Sequence, residues 1–202
     1  MNKPLLVASD LEGVFIPEVW IAVAEKTGIP ELRLTTRDIK DYDELMRYRL
    51  KILDAKGLTL PKIQDVIRGM APLPGAADFI ARIRSKYQMI ILSDTFYEFG
   101  LPFMEKLGQP TLFCHSLLSD ASGKITGYKL REGGTKKNAV AAFKAIGFRV
   151  VAMGDSYNDS AMIQEADKGF FFRAPENVLK DFPGFAHHTE YDVLEKAIAE
   201  SL

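Results

Sequence analysis

The chain has 202 residues, 47% apolar and 26% charged, enough for one domain with a real core and a small inserted subdomain. Its 26 Lys and Arg nearly cancel 27 Asp and Glu, so no basic excess points to nucleic acid or to an anionic membrane surface. A single cysteine, Cys114, excludes an intrachain disulfide. The apolar run before Asp10 is too short for a signal peptide, and no apolar stretch is long enough to span a bilayer. These features predict a cytoplasmic enzyme or binding protein.

In chain order, Leu5-Leu6-Val7-Ala8-Ser9 is a short apolar run that ends at Asp10. Residues 18 to about 72 follow, long and helical in pattern, with candidates at Trp20 to Thr27, Asp41 to Ala55 and Pro61 to Arg68. This stretch reads as a helical cap inserted over the sheet. Ala76 to Lys86 is the next helix, after Pro74-Gly75. The run Gln88 to Leu92 then ends at Ser93-Asp94-Thr95, and Tyr97 to Leu107 is helical up to Gly108. Thr111 to His115 can be a strand, with a hairpin or loop around Gly123 to Tyr128. Thr135 to Ile146 is a helix stopped by Gly147. Phe148 to Met153 is a strand ending at Gly154-Asp155, Ser160 to Ala166 a short helix, and Gly169 to Phe172 a further strand. Buried β-branched strands alternating with helices predict an α/β fold, a doubly wound and mostly parallel sheet. The expected division is a core of residues 1–15 and 73–202, with a cap at 16–72.

Polar residues gather where ligands bind such sheets, beyond the carboxyl ends of the strands. Asp10 and Glu12, two apart on leaving a strand, can aim one carboxylate at phosphorus and leave the other to move protons. A solvated turn would use the same residues. Asp155, Asn158 and Asp159 form an oxygen-rich group that suits magnesium, or a turn followed by a helix cap. The Ser93 hydroxyl can hold a phosphate oxygen or cap a helix. Gly133-Gly134-Thr135-Lys136-Lys137 puts lysines at a helix entrance, where one can neutralise a transferring phosphoryl group. Lys-Lys pairs also commonly lie on the surface. His115 reads as a strand-end residue, His187-His188 as loop, and Cys114 as a buried structural thiol.

These four elements, in this order, resemble the motifs of the haloacid dehalogenase-like superfamily. The insert placed after the first of them resembles the phosphoserine phosphatase branch. Asp10-Leu11-Glu12 departs from that family's Asp-x-Asp by one methylene, and Ser93-Asp94-Thr95 departs from its Ser-Gly-Gly. Together with Pro17-Glu18-Val19-Trp20, Thr35-Thr36-Arg37-Asp38 and Gly154-Asp155-Ser156-Tyr157-Asn158-Asp159, these departures are similar to members that also pass the phosphoryl group to homoserine. The resemblance implies Asp10 as nucleophile and Glu12 as general acid/base. It implies Mg2+ held by Asp10, Glu12 and Asp155, with Asp159 supporting them. Ser93 and Lys136 would hold the phosphoryl group, Asp94 would help through its backbone amide, and Asn158 would touch phosphate or substrate. From the cap, Glu18 and Arg49 would hold the amino-acid end. The partners implied are small molecules, phosphoserine and homoserine, and a homodimer is left open. Phosphatases for other sugar or nucleotide phosphates, and a non-catalytic binding protein on the same fold, remain the alternatives.

Overall fold

The computed structural model describes residues 3–35, 38–39, 41–131 and 135–201. Thr36, Arg37, Gly133 and Gly134, part of the motifs above, lie outside the described residues. Among the described residues, seven strands form one sheet: β1 (Leu5–Ser9), β2 (Gln88–Phe96), β3 (Thr111–Ser119), β4 (Ile125–Lys129), β5 (Arg149–Gly154), β6 (Lys168–Phe172) and β7 (Ala186–His188). The order is β4-β3-β2-β1-β5-β6-β7, and every pairing is parallel except β3 with β4. The chain runs outward from β1 on one side, then returns to run outward from it on the other. The crevice between the ends of β1 and β5 is therefore the topological switch point, where such sheets bind ligands.

β1 is buried on both faces because helices cover both. Leu5 and Val7 pack into a large cluster with Ile91, Val151 and Phe172, while Leu6 and Ala8 pack into a second with Ile90, Val140 and Val150. The helices are α1 (Val19–Thr27), α2 (Tyr42–Ala55), α3 (Leu60–Arg68), α4 (Ala76–Arg84), α5 (Tyr97–Lys106), α6 (Lys136–Ala145), α7 (Ser160–Glu165), α8 (Glu176–Asp181) and α9 (Tyr191–Ala199). The doubly wound α/β sheet expected from the sequence is the architecture observed.

Local expectations changed in four places. β2 does not stop before Ser93 but continues to Phe96, its pairing with β3 shifting register between Leu92 and Phe96. His115 lies inside β3, not at its end, and His187 and His188 form the short edge strand β7 rather than a loop. Cys114 is only half-buried.

Helices α1 to α3 occupy the stretch between β1 and α4, and the antiparallel hairpin β3–β4 rises to meet them. The amide of Leu60 donates to the carbonyl of Gly123 at 2.8 Å, Lys124 pairs with Asp54 at 2.6 Å, and the Tyr128 hydroxyl bonds Asp43. From the other side, Gln64 donates to the Glu98 carbonyl of α5 at 3.0 Å.

The loop after β1 is held by aromatic packing. Phe79 sits 6.0 Å from Phe15 and 4.9 Å from Tyr191, whose ring stacks 4.8 Å from Phe172. The Tyr191 hydroxyl donates to the Val14 carbonyl at 2.5 Å. Phe79 is completely buried, so Phe79→Ala should cost about 3–5 kcal/mol of stability. A urea titration showing less than about 1 kcal/mol would mean that this cluster does not anchor the loop.

Candidate active site

Asp10 follows β1 directly, and its amide donates to the Met153 carbonyl of β5 at 3.0 Å, which fixes it at the crevice. Asp155 follows β5. Lys136 is the first residue of α6, whose N-cap Thr135 accepts from the Asn138 amide. Asp159 is in the 3-10 turn after β5 and is fully buried.

The centre is an ammonium among carboxylates. Lys136 Nζ lies 2.8 Å from Asp10 Oδ1 and 2.8 Å from Asp159 Oδ1, with Asp94 Oδ2 at 3.6 Å. Lys136 is 6% exposed and Asp10 7%, so these charges are shielded from solvent. Lys137, its neighbour, is exposed and 3.8 Å from Glu165. Asp159 Oδ2 accepts from the amides of Asp155 and Ser156 and from the Ser156 hydroxyl, at 3.0 to 3.1 Å. Asp159 thus ties the loop carrying Asp155 to Lys136.

Two glycines make the space. Gly13 has φ +75°, and a Cβ there would lie 2.3 Å from Asp155 Oδ2. A Cβ on Gly154 would lie 2.3 Å from the Cβ and Cγ of Asp159. Each carboxylate occupies the volume that a side chain would have filled.

Oxygens of Asp10, Asp155 and Asp159 lie within 4.8 Å of one another. Three carboxylates share one lysine, which leaves negative charge uncompensated. Burial, then Asp159, raise the Asp10 pKa well above the usual carboxylate range, although Lys136 opposes them. Burial, Asp159 and Glu18 push Asp155 up to about 7. For Lys136, burial pulls the pKa down but the carboxylates of Asp10, Asp159 and Asp94 outweigh it, so the ammonium stays charged. Asp10 Oδ1 is buried, and its close contact is the 2.8 Å ion pair with Lys136. A divalent cation with oxygen ligands fits this group of carboxylates, since it would neutralise the excess charge.

Glu12 stands outside that cluster. Its Oε2 accepts from the Val19 amide at 2.9 Å, at the start of α1. Burial and Glu18 push its pKa up to about 7. Ser93, 5% exposed, accepts from the Thr95 amide at 3.2 Å. Arg49, on α2, is buried and stacks 4.5 Å above the Trp20 ring. It donates to the Leu34 carbonyl at 2.8 Å, but its Nε has no partner, and burial lowers its pKa to about 10. Glu18 is exposed, but its charge is felt by Glu12, Asp155 and Arg49. Asn158 is exposed on the 3-10 turn, next to Asp159 in sequence.

A model of haloacid dehalogenase-like hydrolases matches residues 8–167. The chain belongs to the haloacid dehalogenase-like hydrolases. It is similar to two curated Pseudomonas proteins. One, from P. aeruginosa, is named phosphoserine phosphatase ThrH and is 53% identical over 95% of this chain and 94% of its own length. The other, from P. syringae pv. tomato, is named phosphoserine phosphatase and is 53% identical over 93% of this chain and 79% of its own. A solved substrate-bound phosphoserine phosphatase complex shares the fold, with TM-score 0.74 and 22% identity over 96% of this chain and 97% of that one.

Around the site of this haloacid dehalogenase-like hydrolase stand residues that the motifs alone do not mark. The Thr95 amide bonds Ser93, Ser156 bonds Asp159, Trp20 carries Arg49, and His115 lies 3.7 Å from Asp94. Thr95 was within reach of the sequence, since it is two residues from Ser93 on a strand and shares its face. His115 was not, because only the pairing of β2 with β3 brings it alongside.

Folded-state pKa values raised above those of unfolded carboxylates carry a pH signature. Between about pH 4 and 7 the native metal-free protein binds more protons at Glu12 and Asp155 than the unfolded chain does. That stability is present at the acid end of the window and lost as pH rises through it. Chemical denaturation with EDTA across this range should show stability falling with rising pH. A flat or rising profile would contradict the burial of these carboxyls.

Proposed function

We propose that this chain is a magnesium-dependent phosphoserine phosphatase that can also pass the phosphoryl group to homoserine. The observation that carries this reading is the buried pair of Asp10 and Lys136 together with a buried arginine, Arg49, whose Nε has no partner and which feels the charges of Glu12 and Glu18. The names of the two 53% identical relatives support it. Residues 16–72 act as the cap and residues 1–15 and 73–202 as the core.

Phosphoserine brings a phosphate, a carboxylate and an ammonium. Arg49 receives the carboxylate, for which a guanidinium fork is suited, and Glu18 receives the ammonium. Ser93, Lys136, the Asp94 amide and Asn158 hold the phosphate. Asp10 and Asp155 would hold magnesium, buttressed by Asp159. When bound, the ion neutralises phosphoryl oxygen charge and keeps Asp10 ionised.

Asp10 then attacks phosphorus in line. The bond to the serine oxygen breaks, and Glu12 supplies the proton that this oxygen takes up. In the second step the Glu12 carboxylate takes a proton from an acceptor hydroxyl, whose oxygen attacks the aspartyl phosphate and frees Asp10. Water gives inorganic phosphate, and homoserine gives phosphohomoserine. A Glu12 pKa of about 7 lets one group serve as acid and then as base near neutral pH.

Purified protein with magnesium should consume phosphoserine, and added homoserine should divert phosphate into phosphohomoserine. Asp10→Asn should lose at least about a thousandfold in kcat, and EDTA should stop turnover. Phosphate alone would remove the homoserine reading, and turnover of other phosphomonoesters but not phosphoserine would remove the substrate. Arg49→Leu should raise KM about tenfold or more for phosphoserine, but much less for phosphoethanolamine, which lacks the carboxylate. Equal effects on both esters would exclude the carboxylate role.

A further inference from the structure

The ring of carboxylates around Lys136 has a third member whose side chain has no part in the chemistry above. Asp94 follows Ser93 on β2, and its side chain is 43% exposed. Its Oδ2 stands 3.6 Å from Lys136 Nζ, well outside the 2.8 Å of Asp10 and Asp159. Its Oδ1 turns the other way, 3.7 Å from His115 Nε2.

His115 is poorly placed to be a casual neighbour. It is buried in β3, its ring 6.3 Å from Phe96 and 6.4 Å from Tyr42. Its Nδ1 accepts from the Arg131 amide at 3.1 Å. A neutral imidazole that accepts at Nδ1 carries its proton on Nε2. Burial lowers the His115 pKa, which favours that neutral ring. The ring therefore carries its N–H at Nε2, 3.7 Å from Asp94 Oδ1, a charge–dipole contact rather than a hydrogen bond.

A lysine ammonium has three N–H groups. The two short contacts of Lys136 go to Asp10 and Asp159, which leaves one for a phosphoryl oxygen. Asp94 is the nearest competitor for it. We propose that His115 is a positioning residue, whose Nε2–H draws Asp94 aside and so keeps one N–H of Lys136 for the phosphoryl group. The inference rests on the phosphoryl-transfer reading of the site, but not on phosphoserine being the substrate.

Two polar replacements separate the two ring nitrogens. His115→Asn reproduces the acceptor toward Arg131 and loses the donor toward Asp94, whereas His115→Gln can reach Asp94 with an N–H. On both phosphoserine and p-nitrophenyl phosphate, His115→Asn should lower kcat/KM about tenfold, the scale of one hydrogen bond. His115→Gln should stay within about threefold of the parent on that scale. Adding Asp94→Asn to His115→Asn should restore most of the loss, because the competing charge is gone. Thermal midpoints recorded alongside should not track this pattern. Equal losses in the Asn and Gln variants, or no recovery in the double variant, would overturn the proposal. Parent activity on the aryl phosphate but not on phosphoserine would overturn the substrate reading while leaving this one standing. No activity on either would remove both.

Discussion

One buried ion pair shared three ways governs this molecule. Lys136 sits at the mouth of α6 with Asp10 on one side and Asp159 on the other. A buried ammonium is tolerable only when its charge is met, and buried carboxylates likewise. The three elements that contribute them, the end of β1, the turn after β5 and the start of α6, therefore cannot settle independently. Removing any one partner would leave an uncompensated charge in the interior, at a cost of several kcal/mol. The arrangement does not favour stability for its own sake. Its surplus of negative charge is what gives a cation a reason to bind and what a phosphate-bearing ligand would otherwise have to overcome.

The sheet supplies the precision. Asp10 and Asp155 stand at the ends of paired neighbours, Ser9 beside Met153 in register. Their separation is set by strand spacing rather than by loops. Above them, flexible side chains from α1 and α2 would be poor ligands alone, because long charged side chains lose much entropy on being held. Arg49 has already met that cost: it is packed on Trp20 and pinned by Leu34. Preorganisation of this kind is what allows a small polar ligand to bind with useful affinity.

Much of this was legible in the sequence. β1, β5 and β6 announce themselves as apolar runs, and Asp10 and Asp155 follow from their places at strand ends. What stayed hidden depended on contacts distant in sequence. The extent of β2 beyond Ser93 is set by its pairing with β3, and nothing in Asp94-Thr95-Phe96 alone distinguishes that from a turn. β7 is three residues long and reads as loop because its apolar content is low; pairing with β6 makes it a strand. His115 looked idle for the same reason, since its partners Asp94 and Arg131 come from two other segments. Lys136 and Lys137 are indistinguishable in a motif, and only the helix phase sends one inward.

The filled glycine spaces carry a consequence for how this sequence can change. The hydrogen of Gly13 and the carboxylate of Asp155 share one small volume, as do Gly154 and Asp159. Neither member of a pair has freedom of its own: a larger residue at the glycine expels the acid, and a longer acid finds no room. Such positions drift together or not at all. A mutational walk through this protein would therefore meet the loop after β1 and the turn after β5 as a single locked unit.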